Sequence, residues 1–166
     1  MKSDLTGTVS LVTGSANGIG QALADRLAAN CSRVVYSDLR LEDAHAAAEG
    51  QPDALAYALD VTDTPRLREV IAEVAEKCVR LDVLVNNAGI TMSGKIENTK
   101  LEDWRRIMEV NVDGVVLGTK HAIPLMRKGG GGSIVKLSSV RGITGTPMIS
   151  AYTASKAAVR LFTKCA

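Results

Sequence analysis

The chain has 166 residues, about the length of one domain and enough to bury a substantial hydrophobic core. Hydrophobic residues make up 46% and charged residues 23%, ordinary values for a soluble globular protein. Twenty Lys and Arg against 18 Asp and Glu give a formal charge of +2 without a basic block, which argues against nucleic-acid and membrane partners. We therefore expect one domain over residues 1–166.

The sequence carries no recognisable disulfide, metal or targeting signal. Three widely spaced cysteines form no C-x-x-C pair and predict reduced thiols: Cys31, Cys78 and Cys165. The histidines His45 and His121 have no partner at ligand spacing, so no metal site is predicted. Met1–Leu5 lacks the apolar stretch of a signal peptide, and no apolar run reaches the roughly 18–20 residues of a membrane span. A cytoplasmic protein is expected.

In the first half of the chain, short β-branched runs alternate with helical patterns. Thr8–Thr13 predicts the first strand, and from Ile19 onward apolar residues recur every four positions, as in a helix. Val34–Ser37 predicts the second strand, Glu42–Glu49 a short helix and Ala54–Leu59 the third strand.

The second half continues this alternation with longer helices. An apolar stripe over residues 67–78 predicts a surface helix, and Asp82–Val85 predicts the fourth strand. A long helical stretch is predicted from about Leu101 to Lys128, where four glycines stop it. Ser133–Leu137 predicts the fifth strand, and the last helical pattern continues to Ala166.

This alternation predicts βαβ units with right-handed crossovers, that is, an α/β doubly wound parallel sheet of the Rossmann type. The expected strand order is 3-2-1-4-5, with helices on both faces. Because the order reverses between strands one and four, a ligand is expected across the carboxyl ends of the strands there. Gly14, Asn86–Gly89 and Ser139 all follow such ends.

Two helical segments, 101–128 and 151–166, are apolar around most of their circumference. A helix of this kind is buried on most sides, whereas a single sheet covers only one side. We therefore expect a second copy of the chain to cover the rest, which predicts a homo-oligomer (a dimer or a tetramer).

The turn between the first strand and the first helix, Thr13–Gly20 (TGSANGIG), is rich in glycine. Glycines there allow a tight reversal, let backbone N–H groups approach a pyrophosphate and permit close packing of helix on strand. The spacing is G-x-x-x-G-x-G and differs from the common G-x-G-x-x-G fingerprint. Its position between a strand and a helix predicts a dinucleotide site.

Asp38 ends the second strand, eighteen residues after Gly20. A carboxylate at this position can accept both ribose hydroxyls of an adenosine and repels a 2′-phosphate, so NAD is predicted rather than NADP. Arg40 is the counter-argument, because a guanidinium two residues further on could reach a phosphate.

Tyr152 and Lys156 are four residues apart and share one face of the last helix, and Ser139 ends the preceding strand. A free phenol has a pKa near 10, and lowering it by about three units takes roughly 4 kcal/mol, which one ammonium about 4 Å away supplies at an effective dielectric of about 20. These residue types suit acid–base chemistry on an alcohol or ketone, with Ser139 bonding the substrate oxygen. A Tyr–Lys pair alone also occurs by chance on surface helices.

Four motifs in this order resemble the short-chain dehydrogenase/reductase family, closest to bacterial secondary-alcohol dehydrogenases and ketoreductases: the glycine turn, Asn86-Asn87-Ala88-Gly89, Asn111, and Ser139 with Tyr152-x-x-x-Lys156. The resemblance implies Tyr152 as general acid/base, Ser139 as the group that polarises the substrate oxygen, and Lys156 as a ligand of the nicotinamide ribose. Asn111 would hold a proton-relay water through its backbone, although Asn within a long helix can also simply mark a kink.

The resemblance also implies a set of cofactor contacts. Asp60 and Val61 would contact adenine, and Asn87 would bind the adenosine ribose or brace the central strand. The full set of implied contacts is Gly14, Ser15, Asn17, Gly18, Ile19, Gly20, Asp38, Leu39, Asp60, Val61, Asn87, Ala88, Gly89, Tyr152 and Lys156.

The sequence differs from the family at its end, because it lacks the last strands and one wall of the substrate pocket. Three interpretations therefore stay open. The chain represents an NAD-dependent alcohol dehydrogenase or ketoreductase, a non-catalytic nucleotide-binding or oligomerising remnant, or a 3-oxoacyl carrier-protein reductase. The last would favour NADP and a basic docking patch, and the sequence indicates neither.

Overall fold

Strands and helices alternate along residues 4–166, the part of the chain that this computed structural model describes. Met1–Ser3, which begin the segment inspected for a signal peptide, lie outside the described residues. The first elements are β1 (Val9–Thr13), α1 (Gly18–Ala28), β2 (Arg33–Asp38), α2 (Leu41–Ala48), β3 (Leu55–Ala58), α3 (Thr64–Cys78) and β4 (Val83–Asn86). A 3₁₀ turn (Ile96–Asn98) leads to α4 (Leu101–Met108), a π-helical turn (Glu109–Asp113), α5 (Gly114–Lys128), β5 (Ser133–Lys136), α6 (Arg141–Thr144) and α7 (Ser150–Phe162).

The five strands form one parallel sheet in the order β3-β2-β1-β4-β5, which confirms the predicted doubly wound topology. At its centre, Leu11 of β1 lies between Val35 of β2 and Leu84 of β4, and all three side chains are fully buried. The predicted strand bounds agree with the observed ones within one residue at each end.

Side chains of the central strand alternate between two hydrophobic cores, one on each face of the sheet. Leu11 belongs to the same core as Leu67 of α3, whereas Val12 belongs to the core of Ala24 of α1 and Ala47 of α2. Because helices cover both faces, the carboxyl ends of the strands are the edge at which loops can build a site. None of the helices within residues 4–166 is long and apolar enough to cross a bilayer.

The structure is helical from Leu101 to Lys128, as predicted, but Glu109–Asp113 within this stretch form a π-helical turn between α4 and α5. In this turn the Asn111 side chain bonds both backbone polar groups of Ile90, which a regular helical surface position would not reach. The last helix also ends earlier than predicted, at Phe162, because the N–H groups of Lys164 and Cys165 bond the carbonyls three residues back, which tightens the end of the chain.

Helix α5 packs on the sheet and on the segment after β3 through two glycines. A Cβ on Gly118 would lie 2.5 Å from the Asn86 Oδ1 atom, and a Cβ on Gly114 would lie 2.7 Å from a methyl group of Val61. Any larger side chain at either position would force the helix away. This contact fixes the segment that carries Asp60 and Val61.

Candidate active site

A cavity of about 440 Å³ opens at the carboxyl ends of the strands, a volume within the range of ligand pockets. Most of the predicted site residues line it: Gly14, Asn17, Ile19, Gly20, Asp38, Leu39, Asp60, Val61, Asn87, Ala88, Gly89, Tyr152 and Lys156. The others lie outside its walls: Ser15, Gly18, Asn111 and Ser139.

The glycine turn brings backbone to the cavity floor where a side chain would collide with neighbours. Gly14 has a φ of +64°, a left-handed conformation, and a Cβ there would lie 2.9 Å from the Ala88 Cα atom. A Cβ on Gly20 would overlap the Gly14 carbonyl oxygen. Helix α1 begins at Gly18, so N–H groups of its first turn lack intrahelical partners and favour an anion.

Asn87 ties this turn to β4. Its amide nitrogen donates to the carbonyl oxygens of Thr13 at 2.9 Å and Gly14 at 2.8 Å. The Thr13 hydroxyl accepts the backbone N–H groups of Asn87 and Ala88, each at 3.1 Å. Because both amide protons of Asn87 are used in these bonds, its side chain braces the crevice between β1 and β4.

Asp38 lies at the end of β2, on the cavity wall. Its carboxylate accepts the N–H of Ala16 at 2.9 Å and the N–H of Leu39 at 2.8 Å, which orients it beside the glycine turn. Arg40 lies outside the cavity walls, and its guanidinium pairs with Asp43 at 2.7 Å. The carboxylate therefore faces the cavity while the nearby guanidinium is engaged elsewhere.

At the β3 end of the cavity, Asp60 accepts three hydrogen bonds. Its Oδ1 atom accepts the Thr62 N–H at 2.9 Å and the Thr62 hydroxyl at 2.7 Å, and its Oδ2 atom accepts the Arg106 guanidinium at 3.2 Å. Burial alone would raise the pKa of Asp60, but the bonds from Thr62 and the Arg106 charge outweigh it and lower the pKa. Asp60 is therefore ionised at neutral pH.

Tyr152 and Lys156 project from one face of α7 into the other end of the cavity. The Lys156 Nζ atom lies 5.7 Å from the centroid of the Tyr152 ring and donates to the Leu137 carbonyl at 2.8 Å. Lys156 is only 5% exposed, and burial lowers the pKa of its ammonium group. A Cβ on Gly89 would lie 3.4 Å from this Nζ atom, so the glycine leaves room for the ammonium.

The two adjacent serines after β5 have different partners. The Ser138 hydroxyl donates to the Lys156 carbonyl at 2.7 Å, and Ser138 lines the cavity. The Ser139 hydroxyl oxygen accepts the Arg141 N–H at 3.1 Å. The Ser138 proton is therefore used to hold α7, whereas the Ser139 proton has no acceptor among residues 4–166.

Asn111 and Ser15 are fully buried and hold the scaffold around the cavity. The Asn111 amide bonds the N–H and carbonyl of Ile90 and donates to the Ser155 hydroxyl at 2.9 Å. Ser155 in turn donates to the Tyr152 carbonyl at 2.7 Å, so the π-helical turn is linked to the helix that carries Tyr152. The Ser15 hydroxyl accepts a backbone N–H of β2 at 2.9 Å and fastens the glycine turn.

Arg106 and Ser138 are the polar cavity residues that the sequence did not indicate. Arg106 meets its partner Asp60 across 46 residues of sequence, and no spacing rule connects them. In the sequence, Ser138 stands out only as the neighbour of Ser139. Strand alternation places the two side chains on opposite faces, but it does not indicate which hydroxyl group is hydrogen-bonded within the protein.

The cavity residues fit a nicotinamide dinucleotide. From β5 to β3 the sheet order presents the Tyr152–Lys156 pair, the glycine turn, Asp38 and then Asp60. This sequence suits a nicotinamide, a pyrophosphate, a ribose and an adenine, respectively. Within residues 4–166 no three His, Cys, Asp or Glu side chains are grouped to hold a metal ion.

Known proteins match this chain along nearly its whole length. The sequence profile described as short chain dehydrogenase matches residues 8–166. The 3-oxoacyl-[acyl-carrier-protein] reductase of Thermotoga maritima is 43% identical over 164 residues, covering 96% of this chain and 67% of that protein. The NADP-dependent (R)-specific alcohol dehydrogenase of Lentilactobacillus kefiri is 37% identical over 170 residues, covering 100% of this chain and 68% of that protein.

A solved structure agrees with these relatives. The crystal structure of a short-chain dehydrogenase from Streptomyces avermitilis has a TM-score of 0.91 at 38% identity, covering 95% of this chain and 58% of that chain. The chain thus spans about two thirds of the length of the curated relatives described above. From the profile match, the identities and the sheet order together, we conclude that the chain belongs to the short-chain dehydrogenase family.

Proposed function

We propose that this chain carries the site of an oxidoreductase that transfers a hydride between NAD(H) and a secondary alcohol or ketone. The observation that carries the proposal is the single cavity that joins the Tyr152–Lys156 pair to the glycine turn. A phenol and a buried ammonium at one end suit proton transfer to an alcohol oxygen, and the turn at the other end suits a pyrophosphate.

The roles of the residues follow from their contacts. Nicotinamide supplies a hydride acceptor at its C4 atom. Tyr152 takes the hydroxyl proton of the alcohol as the carbon loses its hydride, and returns it to the oxygen in ketone reduction. Lys156 is held by the Leu137 carbonyl, with its Nζ atom 5.7 Å from the centroid of the Tyr152 ring, and is proposed to bind the ribose of a nicotinamide nucleotide.

Ser139 is proposed to polarise the substrate oxygen, and Ser138 to hold the helix. We expect Ser139→Ala to lower kcat by about 10²-fold with unchanged NADH affinity, because only the free hydroxyl proton of Ser139 can bond the substrate. Ser138→Ala should instead lower the free energy of unfolding by about 1 kcal/mol through the lost bond to Lys156. Steady-state kinetics and urea unfolding measure the two effects. The reverse pattern would assign the substrate contact to Ser138.

The proposal favours NAD over NADP. Asp38 lines the cavity, and its charge would repel a 2′-phosphate, whereas the Arg40 guanidinium is paired with Asp43. The NADP-dependent relative shows that the family also accepts the other cofactor.

We expect kcat/KM to be at least about tenfold higher with NADH than with NADPH, and Asp38→Asn to remove most of this preference. Glu76→Gln, which neutralises an exposed carboxylate of α3, should not change it. A preference for NADPH in the unmodified chain would reverse the assignment.

Reduction of NAD by a panel of secondary alcohols tests the activity, and reduction of 3-oxo thioesters of pantetheine tests the reductase alternative suggested by the Thermotoga relative. Turnover of simple alcohols alone supports the first function, and turnover of the thioesters alone supports the second. NADH binding without turnover of either class would favour the non-catalytic interpretation.

We also propose that the chain forms a homo-oligomer whose interface consists of residues 101–128 and 151–166. Leu101 and Leu161 are 55% and 58% exposed in the single chain, and a second copy would cover such apolar side chains. Sedimentation of a monomer at micromolar concentration would contradict this part. A cytoplasmic location stays a prediction.

A further inference from the structure

The short helix α6 packs directly against the backbone of α7, the helix that carries Tyr152 and Lys156. We infer that Gly142 of α6 is a positioning residue, whose missing side chain sets the distance from the Ser139 hydroxyl group to α7 and so to Tyr152. The inference rests on the proposed function, because it assumes that Ser139 bonds the oxygen of an alcohol or ketone substrate.

Gly142 touches α7 so closely that no larger residue fits. A Cβ on Gly142 would lie 2.7 Å from both the Ala157 nitrogen and the Lys156 carbonyl carbon, and 2.9 Å from the Lys156 carbonyl oxygen. All three are backbone atoms inside a helix, so they cannot turn aside as the end of a flexible side chain can. A methyl group on Gly142 must therefore separate α6 from α7.

Ser139 is bonded to α6 and must follow it. The Gly142 N–H donates to the Ser139 carbonyl at 3.0 Å, and the Arg141 N–H donates to the Ser139 hydroxyl oxygen at 3.1 Å. These two bonds close a tight turn from Ser139 into the helix. A displacement of Gly142 is therefore transmitted to the hydroxyl group that is proposed to bond the substrate.

Of the two helices, α6 is the one that yields. It is only four residues long, and the side chains of Arg141, Ile143 and Thr144 are exposed. On the other side of the contact, Ser155 and Lys156 are buried, and the Lys156 ammonium group is bonded to a backbone carbonyl just after β5. A separation thus moves α6 and leaves the cavity end of α7 in place.

Kinetics of Gly142→Ala, alone and combined with Ser139→Ala, test the inference. We expect Gly142→Ala alone to lower kcat for a secondary alcohol by about 10–100-fold, up to the loss expected from removing the Ser139 hydroxyl itself. In the Ser139→Ala background, the same change should lower kcat by less than about threefold, because the misplaced group is already absent. A defect unrelated to Ser139 would instead multiply the two losses.

Cofactor binding shows which helix has moved. Rates are expressed per NADH site counted by calorimetric titration, so that unfolded chains do not contribute. The NADH affinity of Gly142→Ala should stay within about twofold of the unmodified value, because Lys156 stays in place. Its melting temperature should fall by about 2–10 °C.

Gly129→Ala is the matched control. A Cβ on Gly129 would lie 3.5 Å from the nearest atoms beyond its chain neighbours, which is ordinary contact distance, and Gly129 lies outside the cavity walls. The kcat and the NADH affinity of this variant should both stay unchanged within error.

Three results would overturn the inference: fully multiplied losses in the double variant, an unchanged kcat in Gly142→Ala, or no NADH site in Gly142→Ala. The last would show that the contact serves folding alone. Each would leave the proposed function standing, because the unmodified chain tests that function. Failure of the unmodified chain to turn over any alcohol or ketone would instead remove the proposed function, and the inference with it.

Discussion

Replacing Tyr152 by Phe is expected to lower kcat for alcohol oxidation by about 10³-fold while the affinity for NADH stays within about twofold. The change removes only the hydroxyl group that exchanges a proton with the substrate oxygen. The ring remains in the cavity wall, and Lys156 keeps its bond to the Leu137 carbonyl. Steady-state rates with a secondary alcohol and fluorescence titration of NADH measure the two quantities separately.

Tyr57→Phe provides the control for this experiment. The Tyr57 hydroxyl accepts a hydrogen bond from Lys77 at 3.0 Å, and Tyr57 lies outside the cavity walls, so its loss should leave kcat within about twofold. If Tyr152→Phe kept more than about a tenth of the original rate, Tyr152 would not be the group that accepts the alcohol proton, and the site would need another base.

Gly20→Ala should abolish measurable cofactor binding, with a loss of affinity of at least about 100-fold, and should destabilise the fold by about 1–3 kcal/mol. The new methyl group would overlap the Gly14 carbonyl and the Asn87 amide, so that the glycine turn must move away from α1. That movement displaces the backbone N–H groups proposed to bind the pyrophosphate. NADH titration and urea unfolding measure both losses.

Gly94→Ala is a matched control, because a Cβ on Gly94 would meet no atom within 4 Å and its backbone is not left-handed. It should leave both quantities unchanged within error. Normal NADH affinity in Gly20→Ala would mean that the turn does not hold the cofactor, even if the protein were less stable.

The sheet order could be predicted because its signals are local. Each strand is a short β-branched or aliphatic run, and Gly14, which follows β1, and Asp38, which ends β2, also indicate ligand binding at that edge. The i, i+4 spacing of Tyr152 and Lys156 is equally local, and α7 brings the two into one cavity.

The features that could not be predicted depend on contacts between distant segments. The π-helical turn depends on bonds from Asn111 to a loop 21 residues earlier, and the helical pattern continues through it without a break. The Arg106–Asp60 pair joins α4 to the end of β3. Which of the two serines keeps a free hydroxyl depends on how α7 packs against the end of β5, since the Lys156 carbonyl accepts the Ser138 proton.

Because α4 and α5 are joined by the π-helical turn, the number of residues between them cannot change without reorienting the side chains of one helix relative to the other. A π-helical turn holds one residue more than an α-helical turn. The extra residue rotates all later positions by about 100° about the helix axis. With this rotation, α4 directs Arg106 to the cavity and α5 directs Gly114 and Gly118 to their close contacts. Deleting one residue would restore a regular helix but turn bulkier side chains toward those contacts. In homologous sequences, this segment should therefore tolerate neither insertion nor deletion.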